Sequence, residues 1–147
     1  MKHLVLFLAV ISFSASAFSQ VRKIPAAVTT AFTKQYPNAQ DVAYRDQLTG
    51  YRVDFTLDSN KMTARYDNKG KWWETDKSSS YDKLAPEVKD GWQKTKYSAE
   101  WKVVETTIVY EPANKETYRL RVEKNDIQKK YLYFDKSGRL LRDAITL

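Results

Sequence analysis

Four acidic side chains, Asp54, Glu74, Glu105 and Glu123, lie on stretches that alternate polar with apolar residues, where a pair could face across a groove as general acid and base. The chain also carries 25 basic residues against 18 acidic ones, a density at which carboxylates meet cations on neighbouring strands with no catalytic purpose. Cross-strand ion pairing is the simpler expectation. Nucleophilic and metal chemistry has fewer candidates still, because the 147 residues include no cysteine and one histidine, His3. If His3 is removed with a leader, thiol nucleophiles, Ser-His-Asp machinery, imidazole acid–base catalysis and ordinary zinc sites go with it. Asp67-Asn68-Lys69-Gly70 and Asp135-Lys136-Ser137-Gly138 superficially suggest calcium loops, but both hold a lysine and neither has the alternating oxygen ligands or closing glutamate of such a site. They read as hairpin turns. Nor is there a glycine-rich phosphate loop. The expectation is no catalytic residue, no metal and no cofactor.

A binding chemistry remains. Arg52, Arg65, Arg119 and Arg121 alternate with apolar neighbours and so project from the strand faces opposite the core. Trp72 and Trp73 are adjacent, so one of them faces away from the core; Tyr131 and Tyr133 alternate with Leu132 and Phe134, so one pair is inside and the other is not. Arginine and large aromatic side chains are what protein interfaces enrich. The candidate partner-binding set is therefore Arg52, Arg65, Trp72, Trp73, Arg119, Arg121, Tyr131 and Tyr133. The plainer reading is a solvated face whose arginines pair with Asp54 and Glu123. Two alternatives use the same residues or their acidic neighbours: a binder of anionic envelope glycan or lipid headgroups, and a carboxylate acid–base hydrolase. Nucleic acid is disfavoured, because the net charge of +7 is not gathered into a run and the chain carries an export signal.

That signal is the opening segment MKHLVLFLAVISFSASAFSQ, with Lys2 and His3, an apolar run from Leu4 to Phe13 and a small-residue close. The run is too short to span a bilayer, and it reads as a secretory signal peptide with cleavage after Ser19, or alternatively after Ala17. No cysteine follows it, so a lipoprotein anchor is excluded. Removing 19 of the 147 residues leaves 128, and loss of Lys2 leaves 24 basic against 18 acidic residues, a net charge of about +6. A periplasmic or secreted protein without disulfides must rely on a hydrophobic core.

The elements that position these residues recur. Ile24, Ala27, Val28, Ala31, Phe32 and Tyr36 form a helical stripe between Pro25 and Pro37, predicting a helix over 25–36. Asp41 to Asp46 predicts a short strand; Tyr51 to Leu57 and Met62 to Tyr66 alternate as a hairpin; Lys71 to Thr75 follows as a fourth strand. Lys77-Ser78-Ser79-Ser80 reads as a break. Leu84, Val88 and Trp92 then predict a second helix behind Pro86, weakened by Gly91 by about 1 kcal/mol relative to alanine. Strands are predicted at Trp101 to Tyr110, Tyr118 to Val122 and Ile127 to Phe134, with a last one after the turn at Gly138. Val28 and Val88 are 60 positions apart, and Gly70 and Gly138 are 68 apart, the drift reflecting longer connections around Pro112. The chain therefore reads as two copies of one pattern, about 22–77 and 82–147. Each copy is marginal alone at this size, so the two are expected to share one core.

Ile24-Pro25-x-x-Val28-x-x-Ala31-Phe32-x-x-x-Tyr36-Pro37-Asn38-Ala39, the Tyr51-to-Phe55 strand and the Tyr66-Asp67-x-x-Gly70-x-Trp72 hairpin together resemble the PepSY-like, β-lactamase-inhibitor-like family. The resemblance is close over Ile24–Lys77 and looser over Leu84–Leu147, where Lys96-Tyr97-Ser98-Ala99 replaces the proline-asparagine helix stop. It implies an α+β fold, a tandem repeat of a helix plus a four-stranded antiparallel meander; the sharing of one core is what would join the sheets edge to edge with both helices on one face. The resemblance also implies an exported, non-catalytic protein. The expected product is one domain over 20–147, a monomer whose open sheet face binds, and by the resemblance inhibits, another exported or envelope protein.

Overall fold

A computed structural model of the chain describes residues 23–145. The proposed leader and its cleavage sites lie outside the described residues. A first helix, α1 (Ala26–Gln35), follows Pro25, whose carbonyl accepts the Val28 and Thr29 N–H groups at 3.0 and 3.3 Å. Four strands follow it: β1 (Gln40–Gln47), β2 (Gly50–Leu57), β3 (Asn60–Tyr66) and β4 (Trp72–Ser79). After a single 3-10 turn (Tyr81–Lys83) come α2 (Pro86–Gln93), β5 (Lys102–Glu111), β6 (Lys115–Glu123), β7 (Lys129–Asp135) and β8 (Leu140–Ile145). All eight strands form one antiparallel sheet in chain order, giving an α+β architecture.

Residues directly opposite one another in an antiparallel sheet project to the same face, so the register assigns the faces. One row runs Phe55, Met62, Lys77, Ile108, Tyr118 and Phe134 from β2 to β7. It joins the strand residues buried under α1 to those buried under α2, and both helices therefore cover the same face. Val28 and Phe32 of α1 pack on Tyr51, Val53, Phe55, Ala64 and Tyr66, while Val88 and Trp92 of α2 pack on Tyr118, Leu120, Val122, Leu132 and Phe134.

These two clusters have no residue in common, which corrects the expectation of one shared core. Width is the reason: eight strands span roughly 34 Å at about 4.8 Å each, and two helices of about 10 Å diameter cover the outer parts and not the middle. At the seam the helix face carries Thr75, Lys77 and Ser79 from β4 and Thr106 from β5. Thr75 is fully buried there, sharing a 2.7 Å hydrogen bond with the Tyr36 hydroxyl and accepting the Trp72 indole N–H at 2.8 Å. A second correction concerns Lys77-Ser78-Ser79-Ser80. Rather than breaking the chain, Ser78 and Ser79 continue β4 and pair with Thr107 and Thr106. The intrinsic turn preference of serine gives way to long-range strand pairing, the usual direction in which strand propensity is overridden.

Both predicted turns close as hairpin turns. Asp67 Oδ1 accepts the Lys69 and Lys71 N–H groups, and Asp135 Oδ1 accepts those of Ser137 and Arg139. Gly70 and Gly138 take φ of 79° and 80°, and each turn abuts its helix: a Cβ would come within 2.4 Å of the Ala27 carbonyl oxygen at Gly70 and 2.0 Å of the Glu87 carbonyl oxygen at Gly138. Gly91 completes the second contact, since a Cβ there would lie 1.9 Å from the Gly138 oxygen. The residue that weakens α2 as an isolated helix is the one that lets it reach the sheet.

Candidate functional site, the open face of the sheet

The face away from the helices carries Arg52, Arg65 and Glu74 in one row, Asp54, Thr63, Asp76, Val109, Thr117 and Asp135 in the next, and Ser78, Thr107, Arg119, Tyr133 and Arg142 in a third. Strand alternation brings four arginines of the candidate set, Arg52, Arg65, Arg119 and Arg121, onto this one surface. It also settles the tyrosine alternative. Leu132 and Phe134 are fully buried under α2, so Tyr131 and Tyr133 stand on the open face with their rings 6.5 Å apart.

The tryptophans divide differently. A bulge on β4, facing Arg65 and Tyr66 of β3, leaves Trp72 opposite Tyr66 and Glu74 opposite Arg65, with Trp73 as the extra residue. Trp72 packs on the first core cluster, and Trp73 is exposed at 39%. Trp72 therefore does not join the open-face set, because its indole is committed to Thr75.

Every carboxylate considered for acid–base work is held by cations. Asp54 accepts from Arg45 Nε at 3.0 Å, Arg52 Nε at 2.7 Å and Thr63 Oγ1 at 2.7 Å. Partial burial pushes its carboxyl up, but the hydrogen bonds from Thr63 and Arg52 outweigh this and hold it below the ordinary carboxylate value. Glu74 accepts from Arg65 Nη1 at 2.7 Å, and Glu105 lies 3.6 Å from Arg121. Glu123 is bonded by Arg121 and lies 3.4 Å from Lys129; those hydrogen bonds, led by Arg121, lower its carboxyl. Asp54 and Glu123, kept ionised in this way, are poorly suited to deliver a proton near neutral pH.

Asp76, which the sequence reading did not single out, is the centre of the network. It is 7% exposed, and its Oδ2 accepts from Arg65 Nη1 at 3.0 Å and Arg119 Nη2 at 2.9 Å. Asp76 Oδ1 and Arg119 Nε are buried without a hydrogen-bond partner among the described residues. Burial lowers the Arg119 guanidinium's affinity for its proton, and the Asp76 charge more than restores it. A polar groove of about 530 Å³ lies over these groups, lined among others by Arg52, Asp54, Arg65, Asp76, Thr107 and Arg119. Beyond it, Arg119 lies over the Tyr131 ring at 5.4 Å and Arg142 over the Tyr133 ring at 3.7 Å. Arg142 was also missed. The signal was available, because Leu140-Leu141-Arg142 follows Gly138 as Trp72-Trp73-Glu74 follows Gly70. Among the described residues, no cluster of three or more His, Cys, Asp or Glu is arranged to hold a metal ion.

Set against known proteins, the chain matches the family described as "Putative beta-lactamase-inhibitor-like, PepSY-like" over residues 14–60 and 49–142. No curated protein matches it. Among solved structures it is similar to a DUF2874 family protein from Bacteroides ovatus, at 26% identity and a TM-score of 0.76, covering 84% of this chain and 88% of that one. It is similar also to a BLIP-like protein from Bacteroides fragilis, at 25% identity and a TM-score of 0.75, covering 84% and 87%. A chain from Bacteroides eggerthii, described among "putative periplasmic proteins", shares the fold at 20% identity and a TM-score of 0.74, covering 84% and 89%. No described helix is long and apolar enough to cross a membrane.

Proposed function

The chain belongs to the PepSY-like, beta-lactamase-inhibitor-like family, and from that membership and the geometry of the sheet we propose that it is an exported, non-catalytic binding protein whose open face docks another exported or envelope protein. In this reading residues 1–19 are a signal peptide and 20–147 one monomeric domain. The succession of a helix and four strands, twice over, is a tandem duplication.

One observation carries the proposal. The arginines Arg52, Arg65, Arg119 and Arg121 are already fixed by ion pairs on a broad surface that no described helix covers. Side chains ordered before docking lose less conformational freedom on docking, and a sheet scaffold holds them more firmly than loops would. The same pairing argues against polyanionic headgroups, since the cations they would need are matched by carboxylates. The family description adds inhibition as the consequence to assay, with a β-lactamase as the first enzyme to try.

Pull-down from periplasmic extract with the wild type and an Arg52→Ala/Arg119→Ala/Arg121→Ala variant tests the face. Loss of the wild-type partner from the variant is expected, with circular dichroism showing that the variant is folded. An identical set of partners would sink the assignment. Tyr131→Ser, on a half-buried ring of the open face that is no part of the core cluster, gives the same comparison if the triple variant unfolds.

A further inference from the structure

On the open face and its turns, the other described arginines each have a carboxylate at ion-pair distance. Arg45 and Arg52 reach Asp54, Arg65 and Arg119 reach Asp76, Arg121 reaches Glu105 and Glu123, and Arg139 reaches Asp135. Arg142 has none among the described residues and lies instead on the Tyr133 ring at 3.7 Å. Stacking uses the flat face of a guanidinium and leaves the N–H donors around its rim available.

The sheet position makes the contrast sharper. Tyr133 pairs with Arg142 immediately before the bulge between β7 and β8, as Arg65 pairs with Glu74 immediately before the bulge between β3 and β4. Both members lie 68 positions further along, the spacing of Gly70 and Gly138. The first position closes an ion pair on itself; the second presents an oriented cation with no counter-ion among the described residues. Beside it is a groove of about 190 Å³ where Lys115, Arg119 and Arg142 meet Glu74 and Glu111. Both carboxylates are engaged, by Arg65 and Lys115. Leu141, the extra residue of the bulge and 42% exposed, adds an apolar wall.

We propose that Arg142 is the anchor of the partner interface and receives an aspartate or glutamate side chain of the partner protein in a bidentate pair, with Tyr133 beneath and Leu141 beside it. This rests on the reading of the open face as the docking surface. A single stacked cation with an apolar neighbour fits one carboxylate on a protein, whereas headgroup recognition calls for several free cations.

Selection of a random displayed peptide library on the immobilised protein tests it. Selected peptides are expected to be enriched in Asp and Glu over the starting library and to bind Arg142→Ala about tenfold more weakly. Arg142→Lys should fall between the two, since an ammonium cannot make the forked pair. Peptides without acidic residues, peptides that bind wild type and Arg142→Ala equally, or no enrichment at all would overturn the proposal. The Arg52→Ala/Arg119→Ala/Arg121→Ala variant separates the failures. Peptides sensitive to it but not to Arg142→Ala remove the anchor and leave the face as the docking surface, while peptides indifferent to both remove the docking surface too. Arg142 is exposed on the edge strand, so Arg142→Gln with an unchanged thermal midpoint serves as the fold-neutral check.

Discussion

Arg119 donates from Nη2 to the Asp76 carboxylate at 2.9 Å, tying β6 to β4 over the intervening β5 and across 43 positions of sequence. Arg65 reaches the same oxygen from β3 at 3.0 Å. The two halves, whose cores are separate on the helix face, are thus joined on the other face by one carboxylate between two guanidiniums.

Breaking this triad should cost more than a surface ion pair. Asp76→Asn is expected to lower stability by about 2–4 kcal/mol, because it leaves the largely buried Arg119 without a counter-charge. Urea midpoints would measure it. In a double-mutant cycle Asp76→Ala and Arg119→Ala should couple by more than about 1 kcal/mol, and additivity within about 0.5 kcal/mol would contradict the assignment.

Gly91→Ala separates helix propensity from packing by its sign. Propensity alone makes the substitution stabilising by about 1 kcal/mol. The Gly138 carbonyl, 1.9 Å from the position a Cβ would occupy, makes it destabilising by about 1–3 kcal/mol instead. A fall in thermal midpoint is the expected result.

Separate cores predict separate responses. Leu132→Ala removes a fully buried side chain beneath α2 and should cost about 2–5 kcal/mol. Native-state amide exchange should then quicken across β6 and β7 and much less across β2 and β3. Equal quickening in both would mean that the halves open as one unit.

Acid should weaken the fold through Asp54, Glu123 and Asp143. Asp54 is lowered because hydrogen bonds from Thr63 and Arg52 outweigh its partial burial, Glu123 chiefly by its hydrogen bond from Arg121, and Asp143 by those from Tyr97 and Lys130. With folded values below unfolded ones, the unfolded chain binds more protons. Their stabilisation is therefore present above the unfolded values of about 3.9 for Asp and 4.3 for Glu, and is lost as pH falls through the lower folded values. Thermal midpoints should be flat from about pH 6 to 5 and drop below about pH 4. Asp54→Asn should make that drop shallower.

Periodicity by itself determined the helical stripe of Val28 and Phe32, the alternation that sets Arg52 against Val53 and Phe55, and the hairpin turns at Asp67 and Asp135. All of these depend on residues a few positions apart. Alternation also required that one of each adjacent pair face outward, without saying which, because the answer depends on what lies opposite. Only the tertiary structure placed Trp72 inside and Trp73 in a bulge, extended β4 through Ser78 and Ser79 to meet β5, and gave Gly91 its neighbour in Gly138. Likewise Arg142 is an ordinary surface arginine until the register of β7 and β8 sets it on Tyr133, with no carboxylate of the described residues at ion-pair distance. Spacing along the chain is a local quantity. Register between strands, the separation of the two cores and the balance of charge on the open face are fixed by contacts tens of positions apart.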